Sequence, residues 1–348
     1  MDDLPPVRDE DAFDVAAVHA WLRSRADVPD GLPDVRQFTS GASNLTYLLR
    51  WQGGPELVLR RPPAGRKAAS AHDMGREYRV QSALAPVFPY VPAMVGLCDD
   101  DGVIGTPFYV MRRVPGRILH RRLPDGLALS APDARALAER VFDTLADLHA
   151  ADVEAAGLAS LGRGPGYVRR QVEGWSGRFR AARTENVPDF EPVMAWLAAN
   201  QPGDVAQRLV HNDFRLDNVV LDDALRVVAV LDWEMATVGD PLMDLGGALA
   251  YWVQADDDDV FRLSRRQPSD LDGMPTREEV VARYASRTGL PIGDWLFYEV
   301  FGLFRLAVIA QQIYYRFHHG QTTNPAFRDF WMFVGYLDAR CRDRAGIA

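Results

Sequence analysis

Leu209-Val210-His211-Asn212-Asp213-Phe214-Arg215-Leu216-Asp217-Asn218 is followed by Val219-Val220-Leu221 and, after Asp222-Asp223-Ala224, by Val230-Leu231-Asp232-Trp233-Glu234. This stretch decides how the chain reads. Apolar runs frame a loop dense in polar groups, and strands over 218–221 and 226–231 around a turn predict a hairpin. Asn218 precedes the first strand and Asp232 follows the second, so pairing is expected to bring them together at its open end. Facing residues in such a ladder lie about 4.5–5.5 Å apart. An amide oxygen and a carboxylate held there are hard oxygen ligands suited to Mg2+. Asp213, five positions before Asn218, is placed to accept a hydroxyl proton or to orient a nucleophile.

Outward from this segment the chain changes character once. Residues 10–27 carry Phe13, Val18, Trp21 and Leu22 among charges, an amphipathic helix pattern. Val35–Phe38, Leu45–Trp51 and Leu57–Leu59 are short strand-like runs separated by turn residues, a helix is predicted over 71–84, and two further strands over 94–98 and 106–114. After Val114-Pro115-Gly116, segments 131–150, 166–183, 241–254, 276–288, 293–318 and 325–345 have helical spacing. The fold class is therefore α+β, with a sheet-rich first domain over 1–113 and a larger, mainly helical second over 114–348. Asp256-Asp257-Asp258-Asp259 reads as a solvated loop.

The 348 residues include 39 basic side chains, of which Lys67 is the only lysine, against 48 carboxylates, for a net charge of -9. That balance disfavours a nucleic-acid partner. Cys98 and Cys341 provide neither a disulfide framework nor a cysteine-based zinc site. The first residues lack a cationic and an apolar region, so no signal peptide is expected. The apolar stretch 301–313, interrupted by Arg305, is too short to span a bilayer. A cytoplasmic protein without a membrane partner is the expectation.

A base, an asparagine and an aspartate arranged for magnesium are the parts of a phosphoryl-transfer site. The His-x-Asp-x4-Asn spacing matches the catalytic loop of protein kinases, with Asp-Trp-Glu where those enzymes have Asp-Phe-Gly. Together with Gly239-Asp240-Pro241-Leu242-Met243-Asp244-Leu245, the segment resembles the aminoglycoside phosphotransferase and choline kinase group. More narrowly, Ser40–Tyr47, Val58–Pro63 and Arg76–Val80 resemble the kinase-like domain fused to acyl-CoA dehydrogenases and its free-standing bacterial relatives. The resemblance runs from about residue 35 to about 320.

It implies a bilobal protein-kinase-like fold, with a small antiparallel-sheet lobe and a larger helical one, and ATP and Mg2+ as cofactors. Gly41, Ser43 and Asn44 would cover the ATP phosphates with backbone N–H groups, since glycine permits close approach. Met111, Arg112 and Val114 would form the adenine hinge. Asp213 would be the base, and Asn218 and Asp232 the Mg2+ ligands. Arg215 would contact the transferred phosphate or a neighbouring carboxylate. His211 reads as structural, Asp240 as an N-cap with Pro241 at N1, and Asp244 as a first-turn carboxylate favoured by the helix dipole.

One departure is plain. The family normally places a lysine on the third strand, and this chain has Arg60. A guanidinium keeps its charge and can fork across two oxygens, so Arg60 is expected to pair with Glu77 or a nucleotide phosphate. The leading expectation is an ATP- and Mg2+-dependent kinase acting on a small-molecule hydroxyl. A nucleotide-binding pseudokinase and a two-carboxylate hydrolase are the alternatives. Arg112, Arg113, Arg117, Arg121 and Arg122 would favour an anionic acceptor such as a hydroxy acid or hydroxyacyl-CoA over an aminoglycoside or choline if they face the cleft; otherwise they are a solvated basic face. His318-His319, near Tyr314, Tyr315 and Arg316, would line a pocket or sit at a helix end.

Overall fold

The computed structural model describes residues 4–38, 44–63 and 73–348, so Gly41, Ser43 and Lys67 lie outside the described residues. Two compact units are present. The first is Met1–Arg117 with Ala155–Gly157 and Val219–Ala236, and the second is Ile118–Glu154, Leu158–Asn218 and Thr237–Ala348. A single cut after residue 113 does not capture this division, because the segment containing Asp232 returns to the first unit.

The first unit is built on a five-stranded antiparallel sheet: β1 (Asp34–Gln37), β2 (Leu45–Arg50), β3 (Glu56–Arg61), β4 (Met94–Cys98) and β5 (Phe108–Arg112), in the order β1-β2-β3-β5-β4. Side chains alternate across a strand, and the two faces bury different helices. Leu57, Leu59, Phe108 and Val110 join Tyr47 and Leu49 in a core with Val18 and Leu22 of α1 (Val15–Arg23). Val58, Tyr109 and Met111 face the other way and pack with Met74 of α2 (Met74–Leu84). The same alternation puts Arg60 on the face of α2. Asp14 and Asp73 cap the two helices by accepting the N–H of Ala17 and Arg76, so both helices start later than the apolar spacing suggests. The short α3 (Asp101–Ile104) lies between β4 and β5 in sequence.

The predicted hairpin forms within this unit as β7 (Val219–Leu221) and β8 (Val227–Val230), with Val219 opposite Val230 at its open end. Gly116 lies against it: a Cβ there would sit 2.5 Å from the Leu221 carbonyl oxygen, and its φ of +151° is one that side-chain-bearing residues avoid.

The second unit is helical: α4 (Ala131–Ala150), α5 (Tyr167–Ala182), α6 (Glu191–Asn200), α7 (Pro241–Leu249), α8 (Asp259–Ser264), α9 (Arg277–Thr288), α10 (Trp295–His318) and α11 (Phe330–Ala345). A two-stranded ladder of β6 (Arg208–Val210) and β9 (Thr237–Gly239) enters and leaves the site region. By length and composition α10 could cross a membrane, but 72% of its most apolar window is buried inside the protein. It crosses α7 at glycines. A Cβ on Gly302 would lie 2.3 Å from the Gly246 carbonyl, so the two backbones touch directly. The acidic run 256–259 is not merely solvated. The Asp257 side chain is shielded, 2.7 Å from Arg277 and 2.5 Å from Arg340, and Asp258 caps α8.

Candidate active site

In the first unit, Arg60 is the centre of a carboxylate cluster. Its Nη1 lies 3.1 Å from Glu77 Oε1 and its Nη2 lies 2.7 Å from Asp232 Oδ1 and 3.8 Å from Glu234 Oε2. The strand alternation and the buried Met74–Glu77–Val80–Gln81 stripe of α2 aim the first pair at each other. Asp232 reaches the cluster through a left-handed turn, φ 65°, a conformation that aspartate tolerates better than most residues. Asn44 Nδ2 donates to Glu234 Oε2 at 3.2 Å, and Arg76 donates to the carbonyls of Glu234 and Ala236. Burial works against the charge of Arg60, but Glu77, Tyr109 and Asp232 more than offset it and hold the guanidinium more firmly protonated than usual. For Glu77, burial raises the carboxyl pKa despite the opposing pull of Arg60.

In the second unit, the polar loop is clamped along its length. Asp244, at the start of α7, accepts the N–H of His211 on Oδ2 at 2.6 Å and that of Asn212 on Oδ1 at 2.8 Å. His149 Nε2 lies 3.1 Å from Asp244 Oδ2. Asn212 is left-handed, φ 65°, accepts the Tyr167 hydroxyl at 3.0 Å on its side chain and receives Arg305 of α10 on its carbonyl. Arg305 also stacks over Trp175. Further along, Gln267 accepts the N–H of Leu216 at 2.8 Å and donates to the Tyr251 carbonyl at 3.1 Å. Asp244 is deeply buried, which alone would raise its pKa. Donors from His149 and His211 outweigh burial and hold it below the usual carboxylate range.

Inside this frame, Asn218 Nδ2 donates to Asp213 twice, to the carbonyl at 2.8 Å and to Oδ2 at 3.0 Å. Both amide hydrogens are thereby used, which leaves Oδ1 as the side chain's acceptor. Arg215 Nη2 lies 3.3 Å from Asp213 Oδ2 and its Nε 2.9 Å from Asp217 Oδ1, with the guanidinium over the Tyr251 ring. Of its two expected contacts, Arg215 makes the one to carboxylates. His211 is fully buried and accepts the Asp213 N–H on Nδ1 at 3.2 Å, a structural role.

Other expectations fare differently. Asp240 caps α7 through Leu242 and Met243. Met111 and Arg112 end β5, and the Arg112 N–H is taken by the Ala93 carbonyl at 2.8 Å, so that donor is not available to an adenine. Three of the arginines after β5 have separate partners. Arg113 pairs with Glu56, Arg117 with Asp223 at 2.6 Å, and Arg121 donates to the Leu263 carbonyl. His318 and His319 lie at the C-terminal end of α10. Asp244 acts through hydrogen bonds to the loop rather than through the helix dipole alone. His149 and Gln267 carry no sequence signal: their partners lie 95 and 51 residues away.

A five-stranded sheet whose third-strand cation meets a helix glutamate, and a second unit carrying a His-x-Asp-x4-Asn loop, define a kinase-like fold. A family model of the APH phosphotransferase enzyme family matches residues 34–280, and the chain belongs to that family. It is 37% identical over 323 residues to mouse acyl-CoA dehydrogenase family member 10, covering 92% of this chain and 30% of that protein. With human acyl-CoA dehydrogenase family member 11 it shares 33% over 345 residues, covering 96% and 43%. The chain thus spans less than half the length of these curated relatives. The crystal structure of a candidate aminoglycoside phosphotransferase from Ralstonia eutropha is similar with a TM-score of 0.82 at 34% identity, over 96% of this chain and 99% of that one. Choline kinase from Cryptosporidium parvum shares the fold at a TM-score of 0.60 and 10% identity, over 96% of each chain.

Proposed function

We propose that this protein transfers the γ-phosphoryl group of ATP to the hydroxyl of a small molecule, with Mg2+. The observation that carries the reading is Asn218 donating to the Asp213 carboxylate: one loop presents a base and, beside it, an amide oxygen. Asp213 accepts the acceptor's hydroxyl proton at Oδ1 or Oδ2 while Asn218 and Arg215 hold the carboxylate in place. Arg60, anchored by Glu77, compensates phosphate charge. Asn44 belongs to the phosphate-covering segment, with Gly41 and Ser43 beside it in sequence, and the backbone of Val114 is the remaining hinge group for adenine. The donor set fits magnesium. Asn218 Oδ1 and the Asp232 oxygen not held by Arg60 are hard donors, and Mg2+ is usually bound by few protein ligands together with phosphates and water. When bound, Mg2+ would neutralise charge on the transferring phosphates.

For the acceptor we favour a hydroxy acid or hydroxyacyl-CoA over an aminoglycoside or choline. The support is the acyl-CoA dehydrogenase names of the relatives, and the arginines after β5 add none. A coupled ADP-release screen across hydroxy acids, hydroxyacyl-CoAs, sugars, choline and aminoglycosides tests both parts. Acceptor-dependent ADP release is expected. Thermal stabilisation by ATP without transfer to any acceptor would instead identify a pseudokinase. Cytoplasmic location is part of the same proposal, and fractionation of the native host checks it.

A further inference from the structure

Behind Asp244 lies one more buried group. Tyr284, on α9, has its hydroxyl 2.6 Å from His149 Nδ1, with the two rings edge to face. Tyr284, His149 and Asp244 are all at most 2% exposed. The Tyr284 hydroxyl has no other hydrogen-bond partner among the described residues, so its proton goes to Nδ1. Nδ1 is then an acceptor, and the imidazole proton sits on Nε2, facing Asp244 Oδ2 at 3.1 Å. With the opposite tautomer, a ring lone pair would face a carboxylate oxygen. Asp244 in turn accepts the N–H groups of His211 and Asn212, which lead directly to Asp213.

We propose that Tyr284 is a positioning residue for the catalytic loop: its hydroxyl selects the His149 tautomer that donates to Asp244, and so fixes the carboxylate that holds His211 and Asn212. The proposal rests on the reading of Asp213 as the base, because only that reading makes the loop catalytic. It goes beyond the loop motif, since α9 lies more than sixty residues downstream of that loop.

The test is imidazole 15N spectroscopy of the full-length protein, with the His149 signal assigned among the seven histidines by its loss in His149→Gln. The wild type should show a neutral Nε2–H tautomer at His149. Tyr284→Phe should give a mixed or inverted tautomer, and amide exchange at His211 and Asn212 about fivefold faster, the equilibrium worth of one hydrogen bond. ADP release from Mg·ATP should fall by a similar factor with KM for ATP unchanged. A wild-type His149 that is Nδ1-protonated or doubly protonated would overturn the proposal without Tyr284→Phe having to fold. So would a Tyr284→Phe protein with unchanged tautomer and unchanged exchange. Spectroscopy decides this proposal and ADP release decides the kinase reading, so the two can fail separately.

Discussion

The two units hold their polar clusters on opposite principles. In the first unit, one cation serves three carboxylates: Arg60 meets Glu77, Asp232 and Glu234. In the second, one carboxylate serves several donors: Asp244 receives two backbone N–H groups and His149. A cluster centred on a cation depends on one side chain, and when it goes Glu77 is left as a buried carboxylate without its ion-pair partner. A cluster centred on a carboxylate spreads its load over the main chain, and a neutral replacement keeps part of its geometry. The first arrangement suits a place where charge arrives with a ligand, the second a loop that must hold still.

Arg60→Met should therefore be the more damaging change. Removing one partner of a buried pair costs roughly 3–5 kcal/mol, to be read as the loss in urea unfolding free energy, whereas Arg60→Lys should lose less because it retains the charge but not the two-sided reach. Asp244→Asn should cost about 2–3 kcal/mol, the worth of charge-assisted hydrogen bonds lost from a buried acceptor. If the order of Arg60→Met and Asp244→Asn were reversed, the contrast between the two clusters would fail.

Titration sharpens the comparison with a smaller effect. The Asp244 carboxyl is held below its ordinary value, so its contribution to stability is full above about pH 4 and is lost as pH falls through the folded-state pKa. The Glu77 carboxyl is raised by burial, so folding is favoured by protonation there and stability falls as pH rises through its folded-state pKa. Without Arg60 the Glu77 pKa should rise further. The Arg60→Met deficit should then shrink between pH 7 and pH 5, while the Asp244→Asn deficit stays level over that range. Unfolding curves at the two pH values check this.

Much of this was legible in the sequence, because it depends on neighbours along the chain. Alternation in β3 and β5 and the spacing of α2 aim Arg60 at Glu77, and the five-residue step from Asp213 to Asn218 lets one loop hold both. Helix 131–150 is found with the predicted bounds, Ala131–Ala150. What escaped depends on distant partners. Asp257 reads as solvated until Arg277 and Arg340 arrive from 20 and 83 residues away. Asp244 reads as a helix-dipole residue until His149 arrives from α4. The β6–β9 ladder pairs three residues with three across nearly thirty, too short a pattern for periodicity to register, and α6 starts from a left-handed Phe190 with no capping side chain to mark it.

The central claim is that Asp213 is the base of a phosphoryl transfer. Its direct measurement is acceptor-dependent ADP release by wild type and by Asp213→Asn, with ATP affinity measured alongside. Loss of a general base should lower turnover by at least about a hundredfold, while ATP still binds through the first unit. Undiminished turnover in Asp213→Asn, on an acceptor that the wild type phosphorylates, would contradict the account.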